Sequence, residues 1–152
     1  MTLTLNKKEI LEFQKNRDPY LMIDEAYDVK PGFYAKGFKQ LKIDEWFFKV
    51  HWENDPNMPG MLQLEALTQM ASLSILTLPN NKGKILYLTN IDKVKFSQKI
   101  LPGDKLELDT KILSFKRGLA SFSGRATVKD KLACKADFKL LLPDIKDQAI
   151  NL

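Results

Sequence analysis

The stretch from Gly60 to Pro79, GMLQLEALTQMASLSILTLP, limits the possible folds more than any other, because it carries a single charged residue, Glu65. Apolar side chains at Met61, Leu62, Leu64, Ala66, Leu67, Met70, Ala71, Leu73, Ile75 and Leu76 cover nearly every face of a helix, and a helix apolar all round is a buried one. Pro59 and Gly60 open it. Proline is favoured at the first helical position, where its missing N–H costs nothing, and glycine lets another group approach the backbone closely. Pro79 stops the helix, and the rest of the chain has to cover it.

Glu65 then needs an explanation, since an unpaired carboxylate inside such a helix costs several kcal/mol unless it is neutralised or finds a partner. Gln69 at i+4 and Thr68 at i+3 are placed to orient it. The only histidine, His51, precedes the helix across a polar loop, Trp52 to Pro59. This loop ends at the helix N-terminus, where unbonded N–H groups and the positive end of the dipole point outward. A base, an acid and an oxyanion donor can converge there. Ordinary readings stand beside this one. A lone histidine is more often a surface or core-satisfied residue, and a carboxylate at an interface can simply pair with a lysine. Cys134 falls in the alternation Leu132, Cys134, Ala136, Phe138, Leu140 and reads as a small core residue.

The segment His51-Trp-Glu-Asn-Asp-Pro56-Asn-Met58-Pro59-Gly60-Met-Leu62-Gln-Leu-Glu65-Ala66-Leu-Thr-Gln69 resembles the signature of the β-hydroxyacyl-acyl carrier protein dehydratases of the FabZ type, H-F-P-G-x-P-x-M-P-G-x-L-x-x-E-A-x-A-Q. The resemblance extends through Arg17-Asp-Pro19-Tyr20-Leu21-Met-Ile-Asp24, Ile91-Asp-Lys-Val94-Lys-Phe96 and Pro102-Gly103-Asp104-Lys-Leu106, covering residues 16 to 142. The chain departs from the family pattern at Val50, where glycine is usual, and at Trp52-Glu53-Asn54, which replaces Phe-Pro-Gly. Ser97-Gln98 stands where two arginines are common, and Asn16 replaces a histidine.

This resemblance implies an α+β hotdog fold, a long central helix wrapped by an antiparallel sheet. It also implies conversion of (3R)-3-hydroxyacyl thioesters, on acyl carrier protein or coenzyme A, to trans-2-enoyl thioesters without a cofactor or metal, in fatty acid or related lipid synthesis. In that scheme His51 takes the α-proton and Glu65 assists departure of the hydroxyl. Gly60 and Met61 offer backbone N–H groups to the thioester oxygen, Gln69 supports the site, and Phe96 lines the acyl channel. Lys95 and Lys99 attract an acidic carrier. The family assembles as homodimers or trimers of dimers, with the two catalytic residues of a site drawn from different subunits. A hotdog thioesterase and a non-catalytic acyl-carrier-binding subunit are the alternatives. Burial raises the pKa of a carboxyl and keeps Glu65 protonated, whereas Glu53 and Asp55 favour the charged form of His51 and oppose its work as a base.

At 152 residues the chain suits one domain that buries roughly 70% of the surface its unfolded form exposes. Glu65 and its polar neighbours argue against a membrane span, and the N-terminus lacks a signal-peptide pattern. One cysteine forms no disulfide within the chain, which suits a reducing cytoplasm. The net charge of +5 is carried by lysine, since only Arg17, Arg117 and Arg125 are arginines. This disfavours nucleic-acid readout and suits a diffuse acidic partner. There is no metal-ligand cluster, CxxC pair, P-loop or GxGxxG fingerprint.

Asn6 and Glu9 have capping-box spacing, which predicts a short helix within residues 1–15. Tyr20–Val29 and Phe33–Leu41 read as strands around Lys30-Pro31-Gly32, and Asp44-Glu45-Trp46 begins a loop or short turn. Four β segments follow the central helix: Ile85–Phe96, Lys105–Ile112, Leu119–Val128 and Leu132–Leu142. The polar tail from Pro143 to Leu152 is expected to fray.

Overall fold

The structure is a computed structural model that describes residues 1–143. The expectation of a fraying tail beyond Pro143 lies outside the described residues. In chain order the elements are β1 (Leu3–Leu5), α1 (Lys7–Phe13), β2 (Glu25–Lys30), β3 (Tyr34–Gln40), α2 (Trp46–Val50), α3 (Gly60–Leu76), β4 (Tyr87–Phe96), β5 (Lys105–Lys116), β6 (Leu119–Val128) and β7 (Lys131–Leu141).

All seven strands form one antiparallel sheet in the order β1-β2-β3-β5-β6-β7-β4. The α3 helix lies across it, packed on β2, β3, β5, β6 and β7. Its apolar composition is matched by burial of every residue from Leu64 to Leu76 except Glu65, which is half-buried. The expected alternation on β5 is present, with Leu106, Leu108 and Thr110 buried and Lys105, Asp109 and Lys111 exposed. Two-residue turns at Arg117-Gly118 and Lys129-Asp130 join β5 to β6 and β6 to β7. All four residues have positive φ, as the right-handed twist of a tight hairpin requires. Cys134 is a buried core residue as expected, and burial pushes its thiol up to about 11, which leaves it unreactive at neutral pH.

Gly37 in β3 sets how closely α3 approaches the sheet. A Cβ there would overlap the Glu25 carbonyl oxygen on β2 and come within 2.6 Å of the Met70 Cε of α3. The missing side chain thus makes room for a fully buried methionine.

Several boundaries differ from the sequence expectation. The first strand pair is entered at Glu25, because Leu21, Met22 and Ile23, although buried, belong to an irregular segment tied to α3 rather than to a neighbouring strand. The strand β1 was not anticipated; three residues are too few to show a period. Trp46–Val50 is a helical turn anchored by buried Phe47 and Phe48, more regular than a loop. The α1 helix occupies Lys7–Phe13 and carries the full reciprocal capping box of Asn6 and Glu9, at 2.9 and 2.8 Å. Pro59 is the N-cap of α3 rather than its first helical residue, and α3 ends at Leu76, ahead of Pro79.

The β4 strand is the sheet edge on one side, pairing with β7 alone. All its residues are exposed except half-buried Ile91, although Tyr87, Leu88, Val94 and Phe96 are large and apolar. Replacing Gly37 by alanine is expected to destabilise the chain by about 3 kcal/mol through overpacking, read as a fall of roughly 10 °C in Tm.

Candidate active site

Glu65 stands in the second turn of α3, half-buried, and burial raises its carboxyl above the usual range against the opposing effect of a hydrogen bond from Gln69. Gln69, itself 3% exposed, makes three bonds. Its Nε2 donates to Glu65 Oε1 and to the Tyr20 carbonyl, each at 2.9 Å, and its Oε1 accepts the Met22 N–H at 2.7 Å. One amide therefore orients the carboxyl and holds segment 20–22 against the helix. Thr68, the other residue placed to orient Glu65, instead donates to the Glu65 backbone carbonyl at 2.9 Å. Burial and, second, the nearby Glu65 charge raise the Tyr20 phenol, which puts Tyr20 in the same neighbourhood.

His51 caps the C-terminus of α2, its N–H bonded to the Phe47 carbonyl at 3.0 Å. Its Nδ1 lies 3.0 Å from the Asn57 carbonyl oxygen. A carbonyl only accepts, so Nδ1 carries the proton and neutral His51 keeps a free lone pair on Nε2. The imidazole stacks on Trp52, ring centroids 4.4 Å apart. Buried Asn57 is held in turn by its Nδ2 donating to the Asp55 carbonyl at 2.9 Å. Behind α2, the Lys39 ammonium on β3 sits 3.0 Å from the Glu45 carboxylate. Although their alignment is too poor for a hydrogen bond, both side chains are largely buried, so the ion pair ties the start of α2 to the sheet.

At the start of α3, the Leu62 and Gln63 N–H groups return to the Pro59 carbonyl at 3.0 and 3.1 Å. The two preceding donors, on Gly60 and Met61, are helix-terminal groups without an intrahelical acceptor. The Phe96 ring lies directly on Gly60, where an added Cβ would come within 2.8 Å of the ring edge. Gly60 and Phe96 are therefore brought together, and Gly60 is the residue that permits it.

Glu65, Thr68, Gln69 and Ser72 line a cavity of about 280 Å³ that continues to Leu76, Leu88 and Leu140. His51, Gly60, Met61 and Phe96 are not among its walls. Within one chain Glu65 and Gln69 share a cavity, while His51 belongs to a separate group of residues before the helix start. Lys95 is exposed on β4 opposite Lys135 of β7, whereas the Lys99 ammonium is bonded to Asp55 at 3.1 and 2.9 Å. Among the described residues, no group of three or more His, Cys, Asp or Glu is arranged to hold a metal, and no helix is long and apolar enough to cross a membrane. Asn57 escaped the sequence reading because it acts through its backbone carbonyl, which carries no residue-type signal. Segment 20–22 escaped it because its contact with Gln69 spans 47 to 49 positions.

Gln69→Leu is expected to leave the Met22 N–H and the Tyr20 carbonyl unpaired, lowering stability by about 2 kcal/mol. The donor that favours ionised Glu65 is lost with it, so the Glu65 carboxyl should titrate at higher pH than in the parent, followed by carbon NMR.

Residues 15–137 match the model of the FabA-like domain family. The 3-hydroxyacyl-[acyl-carrier-protein] dehydratase FabZ of Alkaliphilus metalliredigens (strain QYMF) is 38% identical over 144 residues, covering 93% of this chain and 98% of that one. FabZ of Haemophilus influenzae (strain 86-028NP) is 38% identical over 133 residues, covering 87% and 90%. Among solved structures, the dehydratase heterocomplex ApeI:P from Xenorhabdus doucetiae superposes with a TM-score of 0.77 at 13% identity, over 94% of this chain and 97% of that one, a likeness of fold. With a buried helix on a seven-stranded antiparallel sheet and a family match across most of its length, this chain is a hotdog-fold member of the FabA-like family.

Proposed function

We propose that the chain is a (3R)-3-hydroxyacyl-[acyl carrier protein] dehydratase, a hydro-lyase forming trans-2-enoyl thioesters in fatty acid or related lipid synthesis. The observation that carries this reading is the His51 tautomer. With Nδ1 donating to the Asn57 carbonyl, Nε2 is the free base that an elimination needs. The Nε2 atom takes the α-proton, which the thioester carbonyl acidifies. The Glu65 carboxyl, kept protonated to higher pH by burial, gives its proton to the departing β-hydroxyl, and water leaves. As enolate character develops, the Gly60 N–H, with that of Met61, meets the thioester oxygen, a donor worth about 3 kcal/mol in comparable sites. The sequence of proton transfers balances without a redox cofactor. Phe96 and the apolar wall toward Leu88 and Leu140 receive the acyl chain.

A complete site then takes two chains. His51 is not a wall of the cavity that holds Glu65, and β4 presents an unpaired edge with exposed apolar side chains. Joining two chains along β4 by a two-fold axis removes that edge and lets His51 of each chain face Glu65 of the other. Lys95, exposed on β4, contributes to attraction for an acidic carrier, an effect that salt weakens.

His51→Ala and Glu65→Gln are each expected to lower kcat/KM on a 3-hydroxyacyl thioester by roughly 10²–10⁴-fold with the fold intact. Wild-type kcat/KM in Glu65→Gln would overturn the mechanism, and release of free thiol instead of enoyl product would point to a thioesterase. Co-expression of the two variants tests the shared site. About half the dimers should be mixed, each with one intact site, restoring roughly a quarter of wild-type activity. Mixed dimers as inactive as their parents would place both residues in one chain.

A further inference from the structure

The loop that fixes the His51 ring is tied down from outside by an ion pair whose members each adjoin a departure from the family pattern. Asp55 directly follows Trp52-Glu53-Asn54, the residues that replace Phe-Pro-Gly, and Lys99 directly follows Ser97-Gln98, where two arginines are common. Lys99 Nζ meets both carboxylate oxygens of Asp55, at 3.1 and 2.9 Å. From there the bonds run inward to the ring: the Asp55 carbonyl accepts Asn57 Nδ2, and the Asn57 carbonyl accepts His51 Nδ1. A second tie runs alongside, the Met58 N–H donating to the Ile100 carbonyl at 2.8 Å, with Met58 and Ile100 both fully buried. The segment carrying Lys99 is rigidly held in its turn. The Ser97 N–H donates to the Ala133 carbonyl at 2.8 Å, and Gln98 Nε2 donates to the Lys131 and Leu132 carbonyls at 2.9 and 3.2 Å.

We propose that Lys99 is a positioning residue for the base: by holding Asp55 it fixes the loop whose backbone carbonyl orients His51, and it neutralises a carboxylate that would otherwise favour the charged imidazole. This rests on the reading of His51 as the general base. The Asp55 carboxyl is held below the usual carboxylate range, first by its hydrogen bond from Lys99 and with a smaller contribution from His51, so Asp55 carries its charge throughout the range in which a histidine titrates. Without the ammonium, one uncompensated negative charge would remain beside the ring. Glu53 on the same loop and Lys49 on α2 are exposed charges of the same segment and stay unchanged in every variant below.

The test uses the fact that His51 is the only histidine, so in untagged protein one imidazole signal reports it by proton NMR with no need for turnover. The sign follows from the charge left behind. Lys99→Met leaves −1 near the ring and should move the titration midpoint upward, while Asp55→Asn leaves +1 and should move it downward. The double variant removes both charges and should return the midpoint to the wild-type position, and Lys99→Arg should leave it there. The acidic limb of the kcat/KM profile should move with the midpoint. A midpoint unmoved in Lys99→Met, or a shift that persists in the double variant, overturns the proposal, because a merely structural loss would not cancel between the two changes. A loss confined to carrier-linked substrate with no change in titration also overturns it and assigns Lys99 to docking. If instead the midpoints shift as expected but His51→Ala remains active, the base reading fails and the electrostatic coupling stands.

Discussion

The bond from Gln69 to Glu65 is what the rest of the site depends on. A helix apolar enough to be buried against five strands carries one carboxyl, and that carboxyl survives in the interior because the amide one turn later meets it at 2.9 Å. The same amide satisfies a donor and an acceptor of segment 20–22, which brings Tyr20 into the neighbourhood of Glu65. Burial favours the neutral form of the carboxyl and the Gln69 donor favours the ionised form, burial being the stronger. A carboxyl that holds its proton to higher pH than a free glutamate is the consequence of that imbalance.

His51 is held on different principles. No buried polar side chain meets the His51 ring in the described structure. The ring is set by a backbone carbonyl, a stacked indole and a loop pinned to the segment before Leu101. Backbone acceptors suit this task because a carbonyl cannot donate, so it fixes the tautomer as well as the orientation. This also explains how the loop tolerates Trp52-Glu53-Asn54 in place of Phe-Pro-Gly. The group that orients the histidine is a peptide carbonyl at Asn57, outside the altered residues. Among the altered residues Glu53 adds an acid to the loop, and beside them the Lys99 ammonium meets the Asp55 carboxylate.

Glu65 and His51 thus belong to two separately supported groups within one chain, and at the helix start Gly60 lets Phe96 lie against the backbone. Elimination of water needs a base on one side of the substrate, an acid on the other, and a donor for the thioester oxygen between them. Two rigid groups on different supports hold such opposed roles more readily than a single cluster does, because neighbouring acid and base side chains would neutralise one another. The β4 strand leaves an exposed edge with large apolar side chains at the side of the sheet.

The sequence by itself determined the buried helix, its lone carboxyl, the Gln69 partner at i+4 and the strands from β5 to β7. These depend on local spacing and alternation, and physics at short range reads them the same way in any fold. The capping box of α1 was legible for the same reason, being two side chains three residues apart. Only the tertiary structure decided the rest. It chose Gln69 over Thr68 as the partner of the carboxyl, because Thr68 finds its own backbone acceptor one turn back. It placed Tyr20 to Ile23 outside the sheet, because the Met22 N–H is taken by an amide 47 positions away. It separated His51 from the cavity of Glu65, and it paired Lys99 with Asp55, 44 positions distant, where the sequence reading gives Lys99 only a part in attracting an acidic carrier. Such pairings carry no periodic signal. They arise where loops from distant parts of the chain are brought side by side, and only the folded sheet sets that proximity.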